Sequence, residues 1–316
     1  MASAFPETNR TAWITAQRPS RSVADPFKPY GFFLEEERNA LGRTVTSAGI
    51  LLTNKECPWR CLMCDLWKHT LTSTVPVGAI PRQIKYALDR LGMFPSQVKL
   101  YNSGSFFDSA AIPLLDYSAI AEAVSFASRI VVESHPRLVN ERALRFRDLL
   151  SGSLEVAMGL ETVHPGVLPR LNKGFDLTHF SKAVEFLRRH NIDVRAFVLV
   201  KPPFMNEEEG VEWAVKSAEF AFKCGASVVT LIPTRGGNGA LERLSQAGEF
   251  SPPALSSLEQ AFGLALALRQ GRVFADTWDL EQFSTCPSCV AERRRRLHSM
   301  NLEQVGLPEI HCPICR

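Results

Sequence analysis

The ten residues from Glu56 to Asp65, ECPWRCLMCD, decide how the chain is read. Cys57, Cys61 and Cys64 fall as C-x3-C-x2-C, which puts three thiolates within eight residues of one loop. Each thiolate can bind one iron of a cubane, because soft sulfur is the ligand an iron–sulfur cluster selects. A [4Fe–4S] cluster has four irons, so one iron is left without a protein ligand. A small chelating molecule can take that position, and the amino and carboxylate groups of S-adenosylmethionine (SAM) suit it. Two plainer readings compete. A zinc site ordinarily takes two cysteine pairs or a Cys/His mixture, which this spacing does not provide. A chance group of buried thiols is the other.

Working outward, residues 45–53 (VTSAGILLT) read as a buried strand that ends just before the loop. Beyond it, Ile80, Ile84, Ala87, Leu88 and Leu91 recur at helical spacing, with Gly92 as a stop. Strand runs follow at 98–101, 129–133, 154–160, 194–200 and 227–232, and helical runs lie between them. Asn206 before Glu207, Glu208 and Glu209 reads as an N-cap with a capping-box glutamate, and Gly225 closes that helix. Strands alternating with helices, without hairpin signals, predict parallel βαβ units. Right-handed crossovers in series curl such a sheet into a barrel or part of one. A doubly wound sheet would use the same elements. The cysteine loop separates the two, because it follows a strand at its C-terminal end, where barrels build their sites.

The expected fold is therefore α/β: an incomplete (β/α)6 barrel over residues 45–271, after an extension at 1–44 and before a small four-cysteine metal-binding module at 272–316. Residues 1–30 have no periodicity and read as a loose tail, residues 31–44 as a polar lead-in, and residues 234–253 as a surface loop. A further helix is expected over 254–270.

In the C-terminal module, Cys286-Pro-Ser-Cys289 and Cys312-Pro-Ile-Cys315 are two C-P-x-C knuckles. Four thiolates in two tight pairs suit a tetrahedral Zn2+ site, and an auxiliary [4Fe–4S] cluster would use the same ligands. Between the knuckles, Arg293, Arg294, Arg295 and Arg296 are consecutive. They are candidates for gripping phosphates, against the plain reading of a solvated helix face.

Composition bounds the answer without deciding it. The chain has 316 residues, 45% of them hydrophobic and 22% charged, enough for one barrel-sized core. A net charge of +3 is too mild to declare a polyanion partner. Eight cysteines without a secretory signal point to a reducing, cytoplasmic setting and to metal ligands rather than disulfides. No run reaches membrane-spanning length.

The stretches ECPWRCLMCDLW, LYNSGSFFD, VVESHPR, GLETVHPGVLPRLNKGF and VLVKPPF follow one another in an order that resembles the radical SAM superfamily. Within it they resemble the group of the archaeosine synthase radical SAM subunit and the catalytic subunit of Elongator, over roughly residues 33–233. The resemblance implies a radical SAM barrel in which Cys57, Cys61 and Cys64 hold a catalytic [4Fe–4S] cluster. It places Met63, where many members carry an aromatic residue, against the adenine of SAM. It places Asn102, Ser103, Gly104 and Ser105 at the SAM amino group, although the common Gly-Gly-Glu form is absent.

Glu133 with Ser134, and Glu161, end strands where a carboxylate can accept ribose hydroxyls; a solvated or salt-bridged carboxylate is the plainer reading. Lys201, before two prolines, is a further candidate for the cofactor pocket, and Lys173 for a substrate phosphate or carboxylate.

Archaeosine-type members act on a tRNA base carrying a lysine adduct, which makes tRNA the expected substrate and a ferredoxin or flavodoxin the expected electron donor. The segment LIPTRGGNG departs from the group. It leaves open a radical SAM enzyme acting on a small molecule or peptide. A non-catalytic, metal-dependent RNA-binding protein is the third reading.

Overall fold

A computed structural model describes residues 3–315. Its centre is one eight-stranded sheet whose spatial order equals the chain order. The strands are β1 (Gly31–Arg38), β2 (Thr44–Leu51), β3 (Gln97–Tyr101), β4 (Arg129–Glu133), β5 (Ser153–Glu161), β6 (Asp193–Val200), β7 (Val228–Pro233) and β8 (Arg272–Ala275). β1 pairs antiparallel with β2, and every later neighbour is parallel. The helices are α1 (Arg10–Ala16), α2 (Ala79–Leu91), α3 (Tyr117–Ala123), α4 (Glu141–Leu149), α5 (Leu177–Arg189), α6 (Glu207–Cys224), α7 (Ala240–Gln246), α8 (Leu255–Ala267) and α9 (Val290–Glu303). The expected six βα units form a curled part-barrel, and none of the described helices is long and apolar enough to cross a membrane.

Alternation along the strands explains the layers. One set of side chains, among them Ile50, Val98, Leu100, Val132, Val156, Val198 and Leu231, packs with the helices into the main core. The other set points into the barrel, and its lower tier is charged. Arg195 is buried there and donates to Glu155 at 2.7 Å and to Glu37 at 2.6 Å. Lys99 donates to Glu37 and to Glu35. Arg195 and Lys99 hold the Glu37 carboxyl far below the usual range, against the upward push of burial. Removing one partner would strand a buried charge at a cost of about 3–5 kcal/mol. This tier plugs the bottom of the barrel.

The gap between the edge strands β1 and β8 is closed by α9. Asn301 and Gln304 bond the backbone of Ala275 and Val273 at 2.8–2.9 Å, which satisfies the open edge of β8. Arg38 of β1 donates to Leu302 O, and Arg272 of β8 donates to Arg38 O, both at 2.9 Å.

Four segments differ from the sequence expectation. The polar lead-in contains β1, whose acidic residues look apolar-poor because they face the charged tier. Residues past 271 are in part sheet, since β8 starts at Arg272. The loop at 234–253 contains α7. The N-terminal tail is docked: Phe5 and Ile14 are buried with Leu62, Leu241 and Leu244 in a second small core.

Candidate active site

The cysteine loop leaves the C-terminal end of β2, and neighbours hold it on three sides. Leu62 N donates to Leu171 O at 2.9 Å, and Asn172 Nδ2 donates to Arg60 O at 2.8 Å. Asn238, buried ahead of α7, donates from Nδ2 to Leu62 O at 2.7 Å. On the third side the N-terminal strap reaches Glu56, the residue before Cys57. Arg18 and Arg21 bond its two carboxylate oxygens at 2.7 and 2.5 Å, and Arg60 lies 3.2 Å away. Arg18 also stacks over Trp67, 4.5 Å from the ring centre.

Trp59 fixes the three-residue insert between the first two cysteines. Its indole stacks on His135, with ring centres 3.6 Å apart and planes 6° apart. His135 Nε2 donates to Lys173 O at 2.9 Å, and Nδ1 accepts from Arg137 N at 3.2 Å. Both nitrogens are used by the neutral ring. Burial, reinforced by the Lys173 and Arg137 charges, lowers its pKa to about 3. Gly174, at φ +72°, passes so close that an added Cβ would sit 2.6 Å from Trp59 Nε1.

Several expected site residues meet around this loop. Asn102 is fully buried, and neither its amide oxygen nor its nitrogen has a partner. An orphaned buried amide is rare, and here it is available to an amino or carboxylate group of a ligand. Ser103 sits at φ +53° and shares a hydrogen bond with Tyr30 at 2.9 Å. Ser105 and Ser134 bond each other at 3.0 Å. The Glu133 carboxyl takes the backbone N–H groups of residues 102–104, yet burial still raises its pKa to about 7. It therefore braces the Asn102–Gly104 turn. Glu161, at φ +64° after a bulge in β5, is buried and pairs with Lys173. Left-handed backbone at Ser103 and Glu161 is local strain of the kind found at ligand sites. Met63 packs with Leu62, Phe204 and Val167 behind the loop.

Burial pushes all three loop thiols up, Cys64 to about 12, while the Lys173 ammonium pulls Cys57 and Cys61 back. Metal binding displaces such protons. Among the described residues, the one group of metal-binding side chains drawn within 4.8 Å is Cys286, Cys289, Cys312 and Cys315. Cys57, Cys61 and Cys64 are not gathered that tightly. As placed they do not converge on a single ion, and three thiolates with one position left open are the donor set a cubane with a further ligand takes.

Two expected contacts have other partners. Lys201 Nζ bonds Glu207 at 2.7 Å and Ser251 at 2.6 Å, which ties β6 to α6 instead of reaching the cysteine loop. The arginine run is largely paired. Arg293 bonds Glu259 at 2.5 Å, Arg296 lies 3.3 Å from Glu259 and donates to Leu307 O at 2.7 Å, and Arg294 pairs with Glu281. These contacts staple α9 to α8 and to the C-terminal segment. Lys173 is not a solvated lysine either: its ammonium faces Glu161 and the cysteine loop. Sequence reasoning missed Trp59, His135, Asn238 and the strap. Only His135, directly after Glu133-Ser134 at a strand end, carried a local signal.

The C-terminal thiols are geometrically different. Cys286 Sγ lies 3.9 Å from Cys312 Sγ, and Cys289 Sγ lies 3.5 Å from Cys315 Sγ. Metal–sulfur bonds of about 2.3 Å in a tetrahedron put sulfurs about 3.8 Å apart. The group can hold a metal.

No family model matches the chain. It is 29% identical over 234 residues to archaeosine synthase subunit beta of Thermococcus kodakarensis, covering 70% of this chain and 72% of that protein. It is 24% identical over 221 residues to the Methanosarcina acetivorans protein of the same name, covering 66% and 64%. An uncharacterized protein of Methanocaldococcus jannaschii is 25% identical over 256 residues, covering 75% and 69%. Among solved structures, Methanocaldococcus infernus Elp3 superposes with a TM-score of 0.51 at 14% identity, over 71% of this chain and 59% of that one. Methylornithine synthase (PylB) gives 0.52 at 14% identity, over 70% and 61%. The chain thus spans about two thirds of these relatives. With its part-barrel and its three-cysteine loop at the C-terminal mouth, the chain resembles the archaeosine synthase subunit beta proteins in sequence and shares its fold with Elp3 and methylornithine synthase.

Proposed function

We propose that the protein is a radical SAM enzyme that modifies a nucleoside of tRNA. The observation that carries this reading is the three-cysteine loop at the C-terminal mouth of a parallel part-barrel, with Gly104 of the Asn102–Ser105 turn lying against Cys57 and the fully buried Asn102 amide left without a partner. Cys57, Cys61 and Cys64 would hold a [4Fe–4S] cluster. Asn102 with the Ser103–Ser105 turn, Ser134, Glu161 and the backbone at Met63 would hold SAM. Bound together, cluster and SAM supply a 5′-deoxyadenosyl radical when an electron arrives from a ferredoxin or flavodoxin. Glu133 keeps the turn in shape. Lys173 offsets the negative charge of Glu161 and of the thiolates. The strap and Asn238 keep the loop backbone in place and shield it from solvent. The C-terminal thiols would hold one Zn2+ as a closed structural site, because their spacing fits a single tetrahedral ion. The eight free cysteines fit a reducing cytoplasm.

The tRNA part rests on the relatives named archaeosine synthase subunit beta. One observation favours a second reading, a small-molecule or peptide substrate: the arginine run that would grip phosphates is mostly paired within the protein. Mass spectrometry of tRNA nucleosides and small metabolites from a deletion strain and its parent separates the two. An altered tRNA nucleoside supports the first, and a change confined to small metabolites overturns it.

A further inference from the structure

The cysteine loop touches the Asn102–Ser105 turn at Cys57, where Gly104 lies against it. At Trp59 and Arg60 it meets a different set of neighbours, and these are cationic. Arg10 of α1 donates to Pro169 O at 2.8 Å, and Arg137, after β4, donates to Gly174 O at 2.9 Å. Asn172, between those two residues, holds Arg60 O at 2.8 Å. Arg60 itself donates to Trp59 O at 3.0 Å and to Cys57 O, the carbonyl of a motif cysteine. Arg170 lies over Phe204, 3.2 Å from the ring centre, and 3.3 Å from Glu249. Four arginines therefore gather along residues 169–174, and Trp59 is half-buried beside them.

A guanidinium carries five N–H donors in a fixed fork. Backbone carbonyls orient Arg10 and Arg137 without cancelling their charge, and neither has an ion-pair partner among the described residues. Arg60 shares Glu56 with Arg18 and Arg21, so three cations meet one carboxylate. Of the other acids nearby, Asp176 accepts from His179, and Glu7 is exposed in the strap. A chain whose net charge is only +3 thus places a positive surplus at this one face.

We propose that this face docks an acidic one-electron carrier, a small iron–sulfur protein of the ferredoxin class. The proposal rests on the radical SAM reading and adds where the carrier sits and which residues receive it. One electron moves. The reduced [4Fe–4S]+ centre of the carrier becomes [4Fe–4S]2+, and the cluster on Cys57, Cys61 and Cys64 goes from 2+ to 1+, with no proton or leaving group. Electron-transfer encounters are small and charge-steered, so they need oriented, unneutralised cations and little apolar area. Proximity argues against a nucleic-acid face. A phosphate backbone gains nothing from lying beside Cys57, whereas electron transfer slows steeply with distance, and Arg60 reaches the carbonyl of that cysteine. The strap supplies Arg10, so a segment outside the barrel completes the face.

The test titrates oxidised ferredoxin, which has no electron to give, into the anaerobic, cluster-loaded full chain and follows binding by calorimetry at low and high salt. Wild type should bind saturably and more weakly as salt rises. Arg10→Gln with Arg137→Gln should weaken binding roughly tenfold at low salt and little at high salt. Arg10→Lys with Arg137→Lys, which keeps both charges, should retain most of the affinity, and Arg295→Gln, outside the face, should change nothing. With dithionite, a small reductant that needs no docking, the double Gln variant should form 5′-deoxyadenosine from SAM as fast as wild type. With a low concentration of reduced ferredoxin it should be slower by about the factor lost in affinity. Equal ferredoxin affinity in wild type and the double Gln variant would overturn the proposal. So would loss of tRNA affinity in that variant with ferredoxin affinity unchanged, which would make the face one for nucleic acid. Failure of wild type to form 5′-deoxyadenosine even with dithionite would overturn the enzymatic reading, and the docking role with it, a result distinct from either.

Discussion

The molecule carries two cysteine sites built on opposite plans. At the barrel mouth three thiols are spread along one loop, are partly exposed, and are held by groups that are not metal ligands: Glu56 with its arginines, Asn238, and Leu171 O. In the C-terminal module four thiols converge within 4.8 Å, and sulfur–sulfur distances of 3.5 and 3.9 Å need nothing beyond one ion. A site that keeps a coordination position open must be shaped by its surroundings, whereas a closed tetrahedron shapes itself. The two therefore answer differently to damage. The module clips the segment that carries α9, and α9 closes the seam between β1 and β8. A metal held there would thus serve the barrel wall, while the loop, on the proposed reading, would serve chemistry.

The sharpest break between the sites comes from the cysteines. Changing Cys57, Cys61 or Cys64 to Ala should abolish 5′-deoxyadenosine formation and loop iron while leaving the C-terminal metal in place. Cys286→Ala with Cys312→Ala should remove that metal, leave loop iron bound, and lower the thermal midpoint. Product formation at the wild-type rate in any loop variant would refute the catalytic role of the loop. Next in size is the Glu161–Lys173 pair, both partners about nine-tenths buried. Lys173→Met strands the carboxylate and should cost about 3–5 kcal/mol in denaturant unfolding of the apoprotein. Adding Glu161→Gln should recover most of that loss, and no recovery would mean that the two do not act as a pair.

The strap ranks third. Hydrogen bonds to charged groups contribute about 1.5–3 kcal/mol each. Arg18→Gln with Arg21→Gln should therefore speed iron loss during anaerobic dialysis by roughly tenfold, with the C-terminal metal unaffected. Equal loss from both sites would show that the strap does not single out the loop. A smaller, pH-dependent effect belongs to His135. Its pKa falls from an ordinary 6.5 to about 3 on folding, so its contribution is present above pH 6.5 and is lost as pH falls towards 3. His135→Phe keeps a ring on Trp59. The wild type should exceed it in thermal midpoint most above pH 6.5 and least near pH 3; a constant difference would contradict the neutral, doubly bonded histidine. The smallest effect is expected at Arg295, for which no ion pair is seen among the described residues. Arg295→Gln should change the salt slope of tRNA binding by at most about one unit. Arg293→Gln and Arg296→Gln should act on stability rather than on that slope.

Legibility in the sequence followed how each element is buried. Six strands could be read because they are continuous apolar runs packed under helices. The capping box at Asn206 and Glu209 was legible because it is local, and both of its bonds form at 2.9 Å. β1 escaped because Glu35 and Glu37 point inward to meet Lys99 and Arg195, reversing the usual alternation of apolar and polar faces. β8 is four residues long, too short to show a pattern. The strap is pinned by arginines to a single glutamate, and no periodicity encodes a contact between residues 18 and 56. Within the site, the cysteines and the turn at Asn102–Ser105 were legible from spacing and from position after a strand. The partners of Lys201 and of the arginine run were not, because Glu207, Glu259 and Glu281 are brought to them only by folding.

The central claim, two unlike metal centres in one chain, is tested most directly by metal analysis of the anaerobically purified and reconstituted protein. The account predicts about four iron and one zinc per chain, with the zinc retained when iron is stripped. About eight iron and no zinc would contradict it, because the C-terminal thiols would then hold a second cubane that their spacing does not fit.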